Sequence, residues 1–243
     1  MKDGLSTVLK QLRLSGMART LELRLQEAAG NQLNYAEFLE LIIKDELAVR
    51  NSRLVEKRIK AAGFRDQRRL DDFDWRFNPS IKRGQIYDLA TGDFVRKAQD
   101  LLLVGPPGVG KSHIVEALGN QLIKLGFLVL YRSIFDVVRD FMEDEENITT
   151  KHGVLSKYLK PDVLIIDDMG MKQLPKNSGE YLFEIIHRRY ELRSTIMTSN
   201  RPLEDWGKLL GDVPTAGAIL DRFLHRAEII TITGRSYRLK DKA

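Results

Sequence analysis

The sequence predicts an α/β domain built on a five-stranded parallel sheet, preceded by a small all-helical domain. Three observations predict it. In the first third of the chain, apolar residues recur at helical spacing. From Leu101 onward, short apolar runs alternate with amphipathic helical stretches, the pattern of βαβ units whose sheet is covered on both faces. The first of those runs ends in a glycine-rich segment that leads into a helix. The chain has 243 residues, so a prior of about 150 residues per domain allows one or two domains.

Residues 1–70 read as helices. Leu5, Leu9 and Leu12 fall at i, i+4 and i+7; Leu21, Leu25 and Ala28 repeat the spacing. Phe38, Leu39, Ile42, Ile43 and Leu47 carry a third segment. Gly30-Asn31 breaks the second from the third. Gly63 ends the last, after Lys57, Arg58 and Lys60, where cations suit the helix dipole. Residues 71–97 form a connector with Phe73, Trp75, Phe77 and Pro79. Three aromatics at alternate positions are more than a tether needs, and they are expected to pack on the second domain, as plain packing or beside a nucleotide base.

The second domain, 98–243, contains five expected strands: Leu101–Val104, Phe127–Tyr131, Val163–Ile166, Ser194–Thr198 and Glu228–Ile232. The first leads into Gly105-Pro106-Pro107-Gly108-Val109-Gly110-Lys111-Ser112-His113, which satisfies G-x-x-x-x-G-K-[ST] at every fixed position. Each residue type has a reason. Glycines keep Cβ atoms away from an anion and admit positive φ. Backbone N–H groups and the start of the helix Ser112–Leu125 point at phosphate. Lys111 is a point charge for the β- and γ-phosphates, and Ser112 offers a hydroxyl to Mg²⁺. The segment predicts nucleotide binding.

The third strand ends in Asp167-Asp168, which places carboxylates at the edge of the sheet where ligands bind in such folds. Asp167 is expected to hold Mg²⁺, and Asp168 to orient or deprotonate an attacking water. The fourth strand ends in Asn200, whose side-chain amide can face that water or the γ-phosphate. The helix Ala218–Arg226 carries Arg222 and, one turn on, Arg226. A phosphoryl transition state needs a cation, and Arg222 is the candidate to supply it from a neighbouring subunit.

These motifs resemble the AAA+ ATPases, and within them the IstB–DnaC group of insertion-sequence transposition helpers and helicase loaders. Gly105–Ser112, Leu164–Asp168 with Met169-Gly170, Tyr190–Asn200 with Trp206-Gly207, Leu220–His225 and Gly234–Leu239 carry the resemblance. The helical N-terminus resembles the group's small adaptor domain. The resemblance implies that Lys111, Ser112, Asp167, Asp168 and Asn200 form the nucleotide site and that Arg222 matches the arginine finger. It also implies self-assembly of the P-loop AAA+ domain along duplex DNA, in a ring or filament, and delivery of that DNA to a transposase. Only residues 233–243 follow the last strand, too few for a C-terminal helical lid. Arg235 and Arg238 are therefore the substitutes for the cation a lid supplies.

Charge and composition narrow the partners. Residues 1–70 hold 14 Lys/Arg and 9 Asp/Glu, the whole of the net +5, while the remainder holds 25 of each. DNA contact by the neutral second domain must then come from local basic clusters, for which Arg132, Arg139, Lys151, Lys157 and Lys172 are candidates. The basic first third suits an adaptor for a protein partner, or a second DNA contact. There is no Cys, which removes thiolate chemistry and fits a reducing, cytoplasmic setting. No apolar run reaches membrane-spanning length. A helicase loader gripping single-stranded DNA is the alternative reading. A small-molecule kinase is a third, but neither a substrate lid nor an acceptor pocket is evident in the sequence.

Overall fold

The computed structural model describes residues 2–146 and 153–242. They form two compact units, 1–57 and 58–243. The division falls inside a long helix rather than at residue 70.

The first unit holds α1 (Lys2–Gln11), α2 (Ser15–Gly30) and most of α3 (Tyr35–Ala62). The α1–α2 turn is a Schellman motif: Leu14 N–H reaches Leu9 C=O at 2.8 Å and Arg13 N–H reaches Lys10 C=O at 3.0 Å, with Arg13 at φ 58°. Asn34 and Glu37 start α3 with a reciprocal capping box: Asn34 Oδ1 accepts from Glu37 N–H at 3.0 Å, and Glu37 Oε2 accepts from Asn34 N–H at 2.9 Å. The core of this unit is small. Leu9, Leu21 and Ile42 are buried, with Leu14, Met17, Ala18 and Phe38 packed around them. Leu5, Leu12, Leu25, Leu39, Ile43 and Leu47 share the helical period yet stay exposed, because three short layers offer too little partner surface to cover a full stripe.

The second unit is a parallel sheet in the order β2-β3-β4-β1-β5. The strands are β1 (Asp100–Val104), β2 (Val129–Ser133), β3 (Val163–Met169), β4 (Ser194–Ser199) and β5 (Ala227–Thr231). One face carries Leu102, Leu164, Ile166 and Met197. It buries them against α7 (Ile134–Glu146), α8 (Gly153–Leu159), α9 (Ser178–Arg189), α10 (Trp206–Leu210) and α11 (Val213–Leu224). The other face buries Leu101, Leu103, Ile165 and Ile196 completely, and α6 (Lys111–Lys124) packs against β2, β3 and β4. Two short helices, α4 (Arg83–Leu89) and α5 (Asp93–Arg96), precede β1. After β5 a 3₁₀ segment, Tyr237–Lys242, follows, and no helical subdomain follows it among the described residues.

The segment 58–70 clusters with this second unit for a visible reason. Phe64 packs on Tyr131 with ring centroids 5.9 Å apart, Leu70 is buried, and Arg68 C=O accepts from Asn120 Nδ2 at 3.0 Å. Strand β2 begins at Val129, two residues after the apolar run predicts. Phe127 is used instead to close α6: its N–H reaches Leu122 C=O at 3.1 Å, with Gly126 at φ 100° and its N–H on Ile123 C=O at 3.0 Å.

Candidate nucleotide-binding site

The carboxyl edge of the sheet opens into a cavity of about 540 Å³, a size that accommodates a nucleotide. The loop between β1 and α6 forms its floor, with Pro107, Gly108, Val109, Gly110, Lys111, Ser112 and His113 all lining it. Gly110 caps α6 at φ 108°, so the N–H groups of the first turn face the cavity mouth. Gly105 is required for a different reason. Any Cβ there would lie 2.1 Å from the Ile232 carbonyl oxygen, where β5 runs beside β1. Gly105 and Pro106 do not line the cavity; their carbonyls accept from Lys111 Nζ at 2.6 and 2.8 Å.

Lys111 also donates to Asn200 Oδ1 at 2.7 Å. Burial lowers its pKa from 10.5 to about 8. Asn200 sits at the tip of β4 and lines the cavity. The two carboxylates of β3 part company. The pairing of β3 with β4 shifts register between Ile166 and Met169, and Asp168 takes φ 66°. That left-handed residue re-aims the chain. Asp168 lines the cavity, while Asp167 is fully buried. Asp167 Oδ2 accepts from the Tyr131 hydroxyl at 2.5 Å and Oδ1 accepts from the Thr198 hydroxyl. Burial and the adjacent Asp167 charge push the Tyr131 phenol well above its ordinary value.

Ser112 on the cavity wall and the Asp167-Asp168 pair are hard oxygen donors, the chemistry Mg²⁺ takes. No group of three or more His, Cys, Asp or Glu able to hold a metal occurs among the described residues. The donor set thus fits a cation held by one or two protein oxygens together with phosphate and water, not a protein cage.

Two walls of the cavity come from segments outside the phosphate loop and the strand tips. One is the stretch 65–78. Phe73 meets His113 edge-on at 5.1 Å and Trp75 at 4.7 Å, and it and Phe77 line the cavity while Trp75 does not. His113 Nε2 lies 3.1 Å from Arg69 C=O. Arg65 donates to Asp168 Oδ2 at 2.6 Å. The other wall is a C-terminal strap. Tyr237 N–H reaches Gly108 C=O at 2.9 Å, the Tyr237 ring sits edge-on to Phe77 at 4.9 Å, and Lys240 pairs with Asp74 at 2.7 Å. The strap brings Tyr237 and Arg238 to the cavity; Arg235 is not among the lining residues. The aromatic spacing in the connector signalled the first wall. The motif Gly234–Leu239 and the candidates Arg235 and Arg238 signalled the second segment, but not its contact with the phosphate loop.

Arg222 is not at this cavity. Its Nε lies 3.2 Å from His187 Nδ1, its Nη1 donates to Ala218 C=O at 3.2 Å, and its guanidinium covers the Phe183 ring at 5.0 Å. Arg226 lies 3.9 Å from Glu191. The basic candidates for DNA are variously engaged. Arg132 donates to Tyr131 C=O at 2.7 Å, Arg139 pairs with Asp136 at 2.7 Å, and Lys157 pairs with Asp140. Lys172 lies over the Phe135 ring at 4.9 Å. Lys151 lies outside the described residues.

A family model described as IstB-like ATP binding protein matches residues 7–243. The chain belongs to the IstB-like ATP-binding protein family. It is 34% identical over its full length to an ATP-binding protein of insertion sequence IS5376 from Geobacillus stearothermophilus, 96% of which is covered. It is 36% identical to the corresponding protein of insertion sequence IS21 from Pseudomonas aeruginosa, over 98% of this chain and 89% of that one. Among solved structures, the crystal structure of the DnaC helicase loader superposes with a TM-score of 0.56 at 26% identity, covering 68% of this chain and 96% of the loader. The IstB-like chain therefore has the α/β architecture of AAA+ P-loop domains, behind a helical N-terminal region. No helix among the described residues is long and apolar enough to cross a membrane.

Proposed function

We propose that this protein is an ATP-hydrolysing AAA+ ATPase that assembles on duplex DNA, remodels it and helps a transposase. The observation that carries the chemistry is the convergence of Lys111, Ser112, Asp168 and Asn200, from three separate segments, on one cavity. Lys111 and the α6 N-terminus hold the phosphates. Ser112 would hold Mg²⁺ directly and Asp167, buried behind the cavity wall, through water; the ion would supply positive charge at the phosphates. Asp168 orients water toward the γ-phosphate and takes its proton. Asn200 and Arg238, both on the cavity lining, face the terminal phosphate.

Arg222 completes the site of a neighbouring copy. The support for this is its distance from its own cavity together with the need for a cation at the transition state. The family's insertion-sequence setting supports the transposase partner, and the basic first third of the chain supports an adaptor role there. Duplex contacts are phosphate contacts from Arg132, Arg139, Lys151, Lys157 and Lys172. The test is duplex binding measured with and without ATP across a salt series. A falling log–log slope and tighter binding with ATP are expected; no ATP dependence and no slope would sink the reading.

A second reading is favoured by the likeness to the DnaC helicase loader: a loader acting on single-stranded DNA. Capture experiments with the full chain as bait separate the two. Retention of a transposase supports the first reading, and retention of a replicative helicase the second.

A further inference from the structure

Arg65 belongs to none of the motifs, yet its guanidinium stands inside the nucleotide cavity and holds the side chain of Asp168. It follows Gly63, which closes α3 at φ 79°. The guanidinium also lies 5.9 Å from the centre of the Tyr131 ring, whose hydroxyl holds Asp167. Arg65 thus stands over both carboxylates of β3.

The pair it makes is an exchangeable one. The Arg65 side chain is about half exposed and that of Asp168 about one-fifth, and ion pairs of that exposure contribute little. Arginine's planar fork matches phosphate oxygens in a two-point contact, and charge-assisted bonds of that kind are the strong ones. A terminal phosphate in this cavity competes for Arg65 with a single carboxylate oxygen, and carries more charge.

We propose that Arg65 is a triphosphate-discriminating residue: it leaves Asp168 for the terminal phosphate of a nucleoside triphosphate, and thereby frees that carboxylate for water. The inference rests on the proposed ATP site and adds the residue that distinguishes ATP from ADP. It makes Arg65 a ligand to the phosphate and a positioning residue for Asp168.

The test is a comparison of affinities for ADP and for a non-hydrolysable ATP analogue, by calorimetry on the full chain. Arg65→Ala is expected to weaken the analogue about tenfold, the loss of one charged hydrogen-bonded contact, and to change ADP less than twofold. Arg65→Lys should keep part of the discrimination. Arg65→Gln, of similar length, replaces the alanine variant if that fails to fold. Asp168→Asn, which releases the arginine, should tighten the analogue in the wild-type background and do so less when Arg65 is also replaced. An unchanged ratio of the two affinities, or equal weakening of both ligands, overturns the proposal while leaving the ATP site standing. Failure of the wild type to bind either ligand, with Lys111→Ala indistinguishable from it, overturns the ATP site itself.

Discussion

Lys111 Nζ donates a 2.7 Å hydrogen bond to Asn200 Oδ1, joining the loop after β1 to the tip of β4. The bond ties two residues 89 positions apart, each following one of two neighbouring strands. It also buries a cation. Because burial depresses the Lys111 pKa to about 8, the folded chain binds fewer protons than the unfolded one between about pH 8 and the ordinary lysine value. Its stability therefore rises with pH across that window. Lys111→Met lacks this group. The stability of the wild type relative to Lys111→Met is expected to increase by about 1–3 kcal/mol between pH 7.5 and 10.5. Urea unfolding of both proteins at the two pH values measures it, and a pH-independent difference would contradict the depressed value.

Asp168 couples backbone strain to chemistry. At φ 66° it occupies a region that asparagine and aspartate tolerate and alanine does not. Asp168→Asn should keep the fold within about 0.5 kcal/mol, since it removes no core contact, and lower ATP turnover about 10²-fold or more through loss of the water-directing carboxylate. Asp168→Ala should show the same loss of turnover and cost roughly a further 1 kcal/mol of stability. Thermal melts alongside phosphate release separate the two effects.

Much of this site was legible in the sequence because the residues concerned sit where short-range rules apply. Lys111 and Ser112 follow from the loop spacing, and Asp168 and Asn200 from apolar strands ending in polar groups, while Asp167 lies fully buried behind the cavity wall. The left-handed turn at Asp168 was not legible. It depends on a register shift between β3 and β4, which is a property of two strands together. Arg65 was not legible for the same reason, and Arg238, a candidate on its charge, could not be told from Arg235. Each reaches the site through contacts with residues about a hundred or more positions away, Asp168 in one case and Gly108 beneath the strap in the other. In the helical region the apolar period matches the helices, but periodicity marks a face and not its cover. Leu9 and Leu21 are buried while Leu5 and Leu12, on the same pattern, are not.

Tyr131 reaches Asp167 from β2, with its hydroxyl 2.5 Å from Oδ2 in a fully buried setting. Tyr131→Phe leaves that carboxylate oxygen without its partner, which should cost about 1–3 kcal/mol in urea unfolding. Groups that orient a metal-binding carboxylate also govern metal affinity. The Mg²⁺ concentration for half-maximal ATP turnover is therefore expected to rise about tenfold. An unchanged Mg²⁺ requirement together with the loss of stability would assign the pair a structural role alone.

The strap can be tested at its point of contact with the phosphate loop. Gly108 has φ 82°, and a Cβ there would lie 2.0 Å from Ser236 Oγ and 3.3 Å from Ser236 Cα. Gly108→Ala should therefore displace the strap, breaking the Tyr237–Gly108 bond and moving Arg238 from the cavity. The expected readouts are faster proteolysis after Arg235 and Arg238 and weaker ATP binding. Ser236→Gly removes the side-chain part of the collision, so the double variant should recover protection from proteolysis. It retains only the backbone cost of a non-glycine residue at positive φ, about 1–2 kcal/mol. A double variant as susceptible as Gly108→Ala alone would place the defect in the loop itself and leave the strap without a part in nucleotide binding.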